Sequence, residues 1–155
     1  MSNEQSTITV SRVIDAPAGD IFNLLSNPER HHQPDGSGMV VSDGKTDRIA
    51  AVGDVFTMNM NNAKMGEYKT DNHVTGFSHN QLLAWQTAVA GTEPAGWEWV
   101  WELDSLGPDS TEVSLTYDWS KVTDKDVLKR VSFPMISKEE LEESLNKLAA
   151  AVSGS

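Results

Sequence analysis

The sequence predicts a single α+β domain in which a long C-terminal helix lies across a curved antiparallel sheet. Three observations support this. β-branched and aromatic residues alternate with polar ones over much of residues 39–119, short turn-rich links separate these runs, and apolar residues recur at helical spacing near the C-terminus. Short links favour antiparallel neighbours. A helix would then cover the sheet face that a single layer leaves open.

The chain begins with a predicted strand at residues 7–15, followed by two short helices. Pro17 suits the first turn of the first helix, because the N–H that proline lacks would be unsatisfied there. Asn27 can cap the second helix, which begins at Pro28. Arg12 interrupts the apolar parity of the strand. We expect it near a sheet edge or with its charge in solvent; the alternative is an inward guanidinium that grips a ligand carboxylate.

Six further strands and a long helix follow. The candidate strands are 39–42, 54–60, 64–77, 81–89, 96–103 and 111–119, which makes about seven in all. Ser137 and Glu140 have the spacing of a reciprocal capping box, so the terminal helix is expected to begin there. Its apolar stripe consists of Leu141, Leu145, Leu148 and Val152.

Length and composition restrict the class of protein. The 155 residues suit one domain spanning 1–155, with the polar ends 1–6 and 153–155 expected to be flexible. The net charge of −11 and twelve scattered Lys and Arg residues argue against nucleic acid and anionic membranes as partners. The absence of cysteine excludes disulfides and thiolate chemistry and fits a cytoplasmic location. No signal peptide or membrane span is expected.

One strand carries an unusual concentration of indoles. At a period of two, one of its sides presents Trp97, Trp99, Trp101 and Leu103. These residues either fill a bulky core or line a cavity and stack on a flat or apolar ligand. In both cases we expect them on the concave face of the sheet, opposite the leucines of the terminal helix.

Several short motifs are distributed along the chain. They are Ser-Arg-Val-Ile-Asp-Ala-Pro-Ala from residue 11, Ile-Phe-Asn-Leu-Leu from residue 21, Asn-Pro-Glu-Arg-His from residue 27, Asp-Gly-Ser-Gly from residue 35, Asn-His-Val from residue 72 and Phe-Pro from residue 133. Together they resemble those of the START-like, or SRPBCC, superfamily. That superfamily includes polyketide cyclase/dehydrase and lipid-transport relatives and the birch-pollen-allergen fold. The resemblance implies a helix-grip fold with a deep apolar cavity between the sheet and the final helix. No catalytic signature matches residue by residue.

The candidate ligand-binding residues follow from the strand parities and the implied cavity. They are Trp97, Trp99, Trp101, Trp85, Met58, Met60, Tyr68, Asn72, Tyr117, Leu141 and Leu145. Methionine adapts to varied ligand shapes, although it also fills gaps in cores. Tyr68 and Asn72 share one side of their strand. They either donate or accept hydrogen bonds to a ligand, or are surface residues whose hydrogen bonds are satisfied elsewhere.

The histidine pair His31-His32 with Asp35 resembles the start of a metal or acid/base cluster. Adjacent helical side chains point in different directions, so we expect no metal site, and no cofactor is expected. One histidine acting as a general base at the cavity mouth remains an alternative. The glycines that follow Asp35 lack the lysine and the strand-to-helix context of a phosphate loop.

Three functions are compatible with these patterns. The first is the binding or transport of a small hydrophobic ligand that is lipid-like, polyketide-like or aromatic. The second is a cyclase or dehydratase acting on a ketide-like substrate in the same cavity, through one His, Tyr or Asp. The third is a protein-interaction or stress-regulatory module with a filled core.

Overall fold

The computed structural model describes residues 6–27, 30–31, 40–43, 49–62, 66–126 and 136–153. The predicted α+β fold is confirmed, with seven strands. The elements in chain order are β1 (Thr7–Ile14), α1 (Ala18–Leu25), β2 (Val40–Asp43), β3 (Val55–Asn62), β4 (Gly66–Ser78), β5 (Leu82–Val89), β6 (Glu98–Gly107), β7 (Ser110–Asp118) and α2 (Lys138–Ser153). The second short helix, predicted from Pro28, lies largely outside the described residues. None of the helices in the described ranges has the length and apolar content needed to cross a membrane.

The strands form one antiparallel sheet in the order β1-β7-β6-β5-β4-β3-β2. Strands β2 to β7 follow one another as neighbours, as their short links predict. The first strand pairs with the last, so β1 and β2 form the two edges. In β4, the register shifts between Val74 and Gly76, which is a bulge of the kind that bends a sheet.

One face of the sheet, called here the inner face, carries the apolar residues. A representative row crosses four strands through Val10, Leu115, Trp101 and Leu83, all of which are buried. Side chains one residue away along each strand point to the opposite, outer face. There, hydroxyls replace the apolar groups, as in the hydrogen bond of 2.9 Å between Thr9 Oγ1 and Thr116 Oγ1.

The two helices pack against the inner face. Helix α1 contacts β6 and α2, and it buries Ile21, Phe22, Leu24 and Leu25. Helix α2 packs against β1 and β7, and it buries Leu141, Leu145 and Leu148. Arg12, on edge strand β1, donates from Nη1 to Asn146 Oδ1 of α2 at 2.8 Å. The expected edge position of Arg12 is therefore confirmed, and its guanidinium joins the sheet to the terminal helix.

The capping box at the start of α2 forms as the sequence predicts. The Glu140 N–H donates to Ser137 Oγ at 3.1 Å, and the Ser137 N–H donates to Glu140 Oε1 at 3.0 Å. Replacing Ser137 with alanine is expected to lower the free energy of unfolding by about 1 kcal/mol, because the first turn of α2 loses a partner for its N–H groups. Urea denaturation measures this. Glu140→Gln, which keeps an acceptor at the same place, is the control, and equal losses in both variants would contradict the assignment.

Candidate functional site

The aromatic residues of the inner face form two groups. In the first, the indole of Trp99 stacks on the ring of Tyr117, with ring centroids 4.3 Å apart and an interplanar angle of 10°. Tyr117 also contacts Trp119 at 5.1 Å. Tyr117 is fully buried, whereas Trp99 is only half-buried. Trp99 is therefore held on one ring face by the core while part of its surface stays accessible.

The second group surrounds Trp85. Its ring lies 5.2 Å from Phe56 in an edge-to-face contact and 5.1 Å from His31 in a stacked one. His31 is 8% exposed, and its Nε2 lies 2.6 Å from the carbonyl oxygen of Leu25. A carbonyl oxygen only accepts, so Nε2 carries the proton of this hydrogen bond. In the neutral ring, the lone pair is then on Nδ1.

A chain of hydrogen bonds links the two groups across four strands. Trp99 Nε1 donates to Thr87 Oγ1 at 3.2 Å, and Thr87 Oγ1 donates to Asn72 Oδ1 at 2.6 Å. Asn72 Nδ2 in turn donates to the Phe56 carbonyl oxygen at 3.2 Å and to Thr70 Oγ1 at 3.3 Å. Both ends of the Asn72 amide are occupied, and the residue is 4% exposed. Asn72 thus fixes the positions of its neighbours.

The candidate residues differ in burial. Those that are buried are Trp85, Trp101, Met58, Asn72, Tyr117, Leu141 and Leu145. Those that are half-buried are Trp97, Trp99, Met60 and Tyr68, together with Thr87, which was not among the predicted ligand-binding residues. We call Trp99, Thr87, Tyr68 and Met60 the half-buried group. It lies on the inner face, toward the end of the sheet away from α1.

Trp97 departs from its expected place. Strand β6 begins at Glu98, so Trp97 precedes the strand instead of opening its indole row, although it still packs against the core. The alternation of Trp99, Trp101 and Leu103 on one face is as expected. The role of all these residues in ligand binding stays a prediction.

A polar contact on the outer face perturbs one carboxylate. Asp71 Oδ2 accepts from the Gly91 N–H at 3.0 Å, and Asp71 Oδ1 accepts from Thr57 Oγ1 at 2.8 Å. These hydrogen bonds, that of Gly91 first, lower the pKa of Asp71 below 3.8, and the charge of His73 adds to them. The contact joins β3, β4 and the β5–β6 connection.

Asp71→Asn is expected to be less stable than the wild type at neutral pH by less than about 1 kcal/mol, because solvent screens the contact. Since the folded-state pKa is below the unfolded value of 3.8, the carboxylate contribution is present above that pH and is lost as pH falls through the folded pKa. Urea unfolding at neutral and strongly acidic pH measures this. A difference that stays constant on acidification would contradict the assignment.

The predicted histidine cluster lies only partly within the described ranges. Within them, no three His, Asp or Glu side chains group as ligands of one ion would. His32 and Asp35, the other members of the predicted cluster, lie outside these ranges. A general-base role for His31 therefore stays a prediction based on its own surroundings.

A solvent-open cleft of about 480 Å³ lies at the α1 end of the domain. It is formed where the start of α1, the β4–β5 turn and the end of β6 meet, and its lining includes Gly19, His79, Asp104 and Ser105. Three segments that are distant in sequence form it, so no local pattern could predict it. It differs from the predicted cavity, which we expect between the sheet and α2.

A known protein family matches most of the chain. The family model described as Activator of Hsp90 ATPase homolog 1-like protein matches residues 15–153. The protein Rv0088 of Mycobacterium tuberculosis is 34% identical over 112 residues, which are 71% of this chain and 47% of Rv0088. The chain thus spans about half the length of the curated relatives it matches.

Solved structures share the fold at low sequence identity. Protein Ms6760 of Mycobacterium smegmatis has a TM-score of 0.66 at 14% identity, with 96% of this chain and 92% of that one covered. The Aha1 dimer of Colwellia psychrerythraea has a TM-score of 0.57 at 20% identity, with 96% of each chain covered. A polyketide cyclase-like protein of Corynebacterium glutamicum has a TM-score of 0.56 at 17% identity, with 99% and 86% covered.

Proposed function

Since this chain belongs to the Activator of Hsp90 ATPase homolog 1-like family, we propose that it binds a small hydrophobic ligand between the inner face of its sheet and helix α2. Family membership also confirms the resemblance to the START-like, or SRPBCC, superfamily, whose domains generally bind such ligands. The ligand class and the place of binding are proposals for this chain.

The observation that carries the proposal is the state of Trp99. Its ring stacks on Tyr117 and its N–H is fixed by Thr87, yet the side chain is only half-buried. A large aromatic surface held in one orientation loses little conformational entropy when a ligand stacks on it. Flat or apolar molecules gain the most from such a surface.

The other members of the half-buried group suit the same ligand class. Met60 pairs with Tyr68 across β3 and β4, which brings an adaptable thioether beside a phenol ring. Methionine accommodates varied shapes, and tyrosine adds one polar contact to an apolar wall. A site of this kind binds mainly by apolar contact and uses few polar groups for orientation.

Native mass spectrometry and tryptophan emission test the proposal. We expect the protein, as purified or after titration with long-chain fatty acids and aromatic ketones, to bind one ligand, to shift its emission and to melt at a higher temperature. Trp99→Leu should weaken binding by about tenfold. Leu106→Ala, at an exposed position of the same strand, is the control. No bound mass, emission shift or change in melting temperature would favour an interaction module with a filled core instead.

A second candidate function, a cyclase or dehydratase, is favoured by His31. This histidine is buried against Trp85, and its Nε2 donates to the Leu25 carbonyl oxygen, which fixes the orientation of the ring. A histidine oriented in this way suits proton abstraction near neutral pH. With a ketide-like substrate, His31→Phe should keep the ring contacts but lose turnover. Turnover equal to that of the wild type would exclude His31 as the base.

A further inference from the structure

The side chain of Trp101 contains a buried hydrogen-bond donor that no described residue pairs with. The residue is 6% exposed, and its Nε1 has no acceptor in the part of the chain that the structure describes. Buried polar groups are nearly always paired, because an unpaired one loses its hydrogen bonds to water without compensation. Phenylalanine would fill most of the same space without this cost. The unpaired indole N–H therefore needs an explanation.

Trp99 shows that the same strand can satisfy an indole N–H. It lies two residues before Trp101 on the same face, and it donates to Thr87 Oγ1 at 3.2 Å. The residues directly opposite Trp101 are Leu83 of β5 and Leu115 of β7, neither of which has a side-chain acceptor. Within the sheet, Trp99 thus has a hydroxyl acceptor on a neighbouring strand, whereas both residues directly opposite Trp101 are leucines.

A trapped water fits this position poorly. A buried water requires two to four polar partners, and the side chains directly opposite Trp101 are both leucines. In contrast to a water molecule, a ligand with one acceptor atom needs only the Trp101 N–H as its polar partner. The remainder of the ligand contacts apolar side chains. This explanation also agrees with the position of Trp101 on the inner face, next to the half-buried Trp99.

We propose that Trp101 Nε1 donates a hydrogen bond to a neutral acceptor oxygen of the bound ligand. The ligand is then an apolar molecule with a carbonyl or ether group, and not a plain hydrocarbon. A neutral acceptor is favoured over a carboxylate because the chain already has a net charge of −11, which repels an anionic ligand. In addition, Arg12, the cation that β1 places on the inner face, already donates a hydrogen bond to Asn146. This inference rests on the proposed function and specifies its ligand class.

Matched ligands and matched tryptophan variants test it. Dissociation constants are measured for benzophenone against diphenylmethane and for 2-nonanone against nonane, since each pair differs mainly by one carbonyl oxygen. The wild type should prefer the ketones by about tenfold, the effect of one buried hydrogen bond. Trp101→Phe should lose this preference, so that the ketone and the hydrocarbon of each pair bind with similar affinity. Trp99→Phe should weaken both members of a pair and keep their ratio.

The outcomes separate the two proposals. Equal affinity for ketone and hydrocarbon in the wild type, or a preference that persists in Trp101→Phe, overturns the role of Trp101 and leaves the hydrophobic site in place. Failure of all four compounds to bind the wild type overturns both. Should Trp101→Phe fail to fold, the chemical shift of the Trp101 indole proton tests the proposal instead. It is measured in wild-type protein labelled with ¹⁵N-tryptophan. It should move downfield with the ketones alone, and an equal shift with the hydrocarbons overturns the proposal.

Discussion

Replacing Gly96 with alanine is expected to lower the free energy of unfolding by about 3 kcal/mol, as backbone strain and steric overlap add together. Gly96 has a φ of +127°, a conformation that side chains disfavour. A Cβ there would lie 2.7 Å from the carbonyl oxygen of Lys121 and 2.8 Å from its carbonyl carbon. Both are backbone atoms, so neither can move aside as a flexible side chain would. Thermal and urea denaturation measure the loss.

Gly91 provides the matched control for this prediction. It also has a positive φ, +85°, but a Cβ added there would meet nothing within 4 Å. Gly91→Ala should therefore lose only the conformational part, about 1 kcal/mol. Gly96 directly precedes Trp97 and the start of β6, so the close contact with Lys121 positions the indole strand. Equal losses in the two variants would contradict that contact.

Asn72→Leu is expected to destabilise the protein by about 2 to 3 kcal/mol, because the Phe56 carbonyl and the Thr70 hydroxyl lose a donor in a buried place. Thr87→Val should cost about 1 to 2 kcal/mol, since the Trp99 N–H loses its acceptor. The two residues share the hydrogen bond of 2.6 Å between Thr87 Oγ1 and Asn72 Oδ1. The double variant should therefore lose less than the sum of the single ones, by about 1 kcal/mol.

Thr9→Val is the control for this cycle. Thr9 also forms a hydrogen bond between hydroxyls, to Thr116, but this contact is on the exposed outer face. Its loss should change the free energy of unfolding by less than about 0.5 kcal/mol. Additive effects of Asn72→Leu and Thr87→Val would contradict the hydrogen-bond chain. Asn72→Leu and Thr87→Val should also broaden the tryptophan emission spectrum, because Thr87 holds Trp99 in place.

Much of the fold could be predicted because it follows from local patterns. The alternation of Trp99, Trp101 and Leu103 placed one face of β6 correctly, since side chains of a strand alternate regardless of its partners. The capping box of Ser137 and Glu140 needs only the right residues three apart. Short links between strands were enough to predict the antiparallel order from β2 to β7.

The candidate site was less predictable because its contacts join residues that are distant in sequence. Thr87 and Asn72 are 15 residues apart, and only the register of β4 against β5 brings them together. The position of Trp97 outside β6 coincides with the turn at Gly96, whose close neighbour is Lys121. Likewise, the unpaired state of the Trp101 N–H depends on which residues face it across both strands.

The most direct test of the ligand site is the response of the five indole N–H signals in protein labelled with ¹⁵N-tryptophan. On titration with benzophenone, we expect the Trp99 and Trp101 signals to shift most, because the proposed site lies between the inner face and helix α2. Unchanged indole signals, with shifts confined to the backbone amides of Gly19 and Ser105, would instead put the ligand in the cleft at the α1 end. That result would contradict a binding site on the indole face of the sheet.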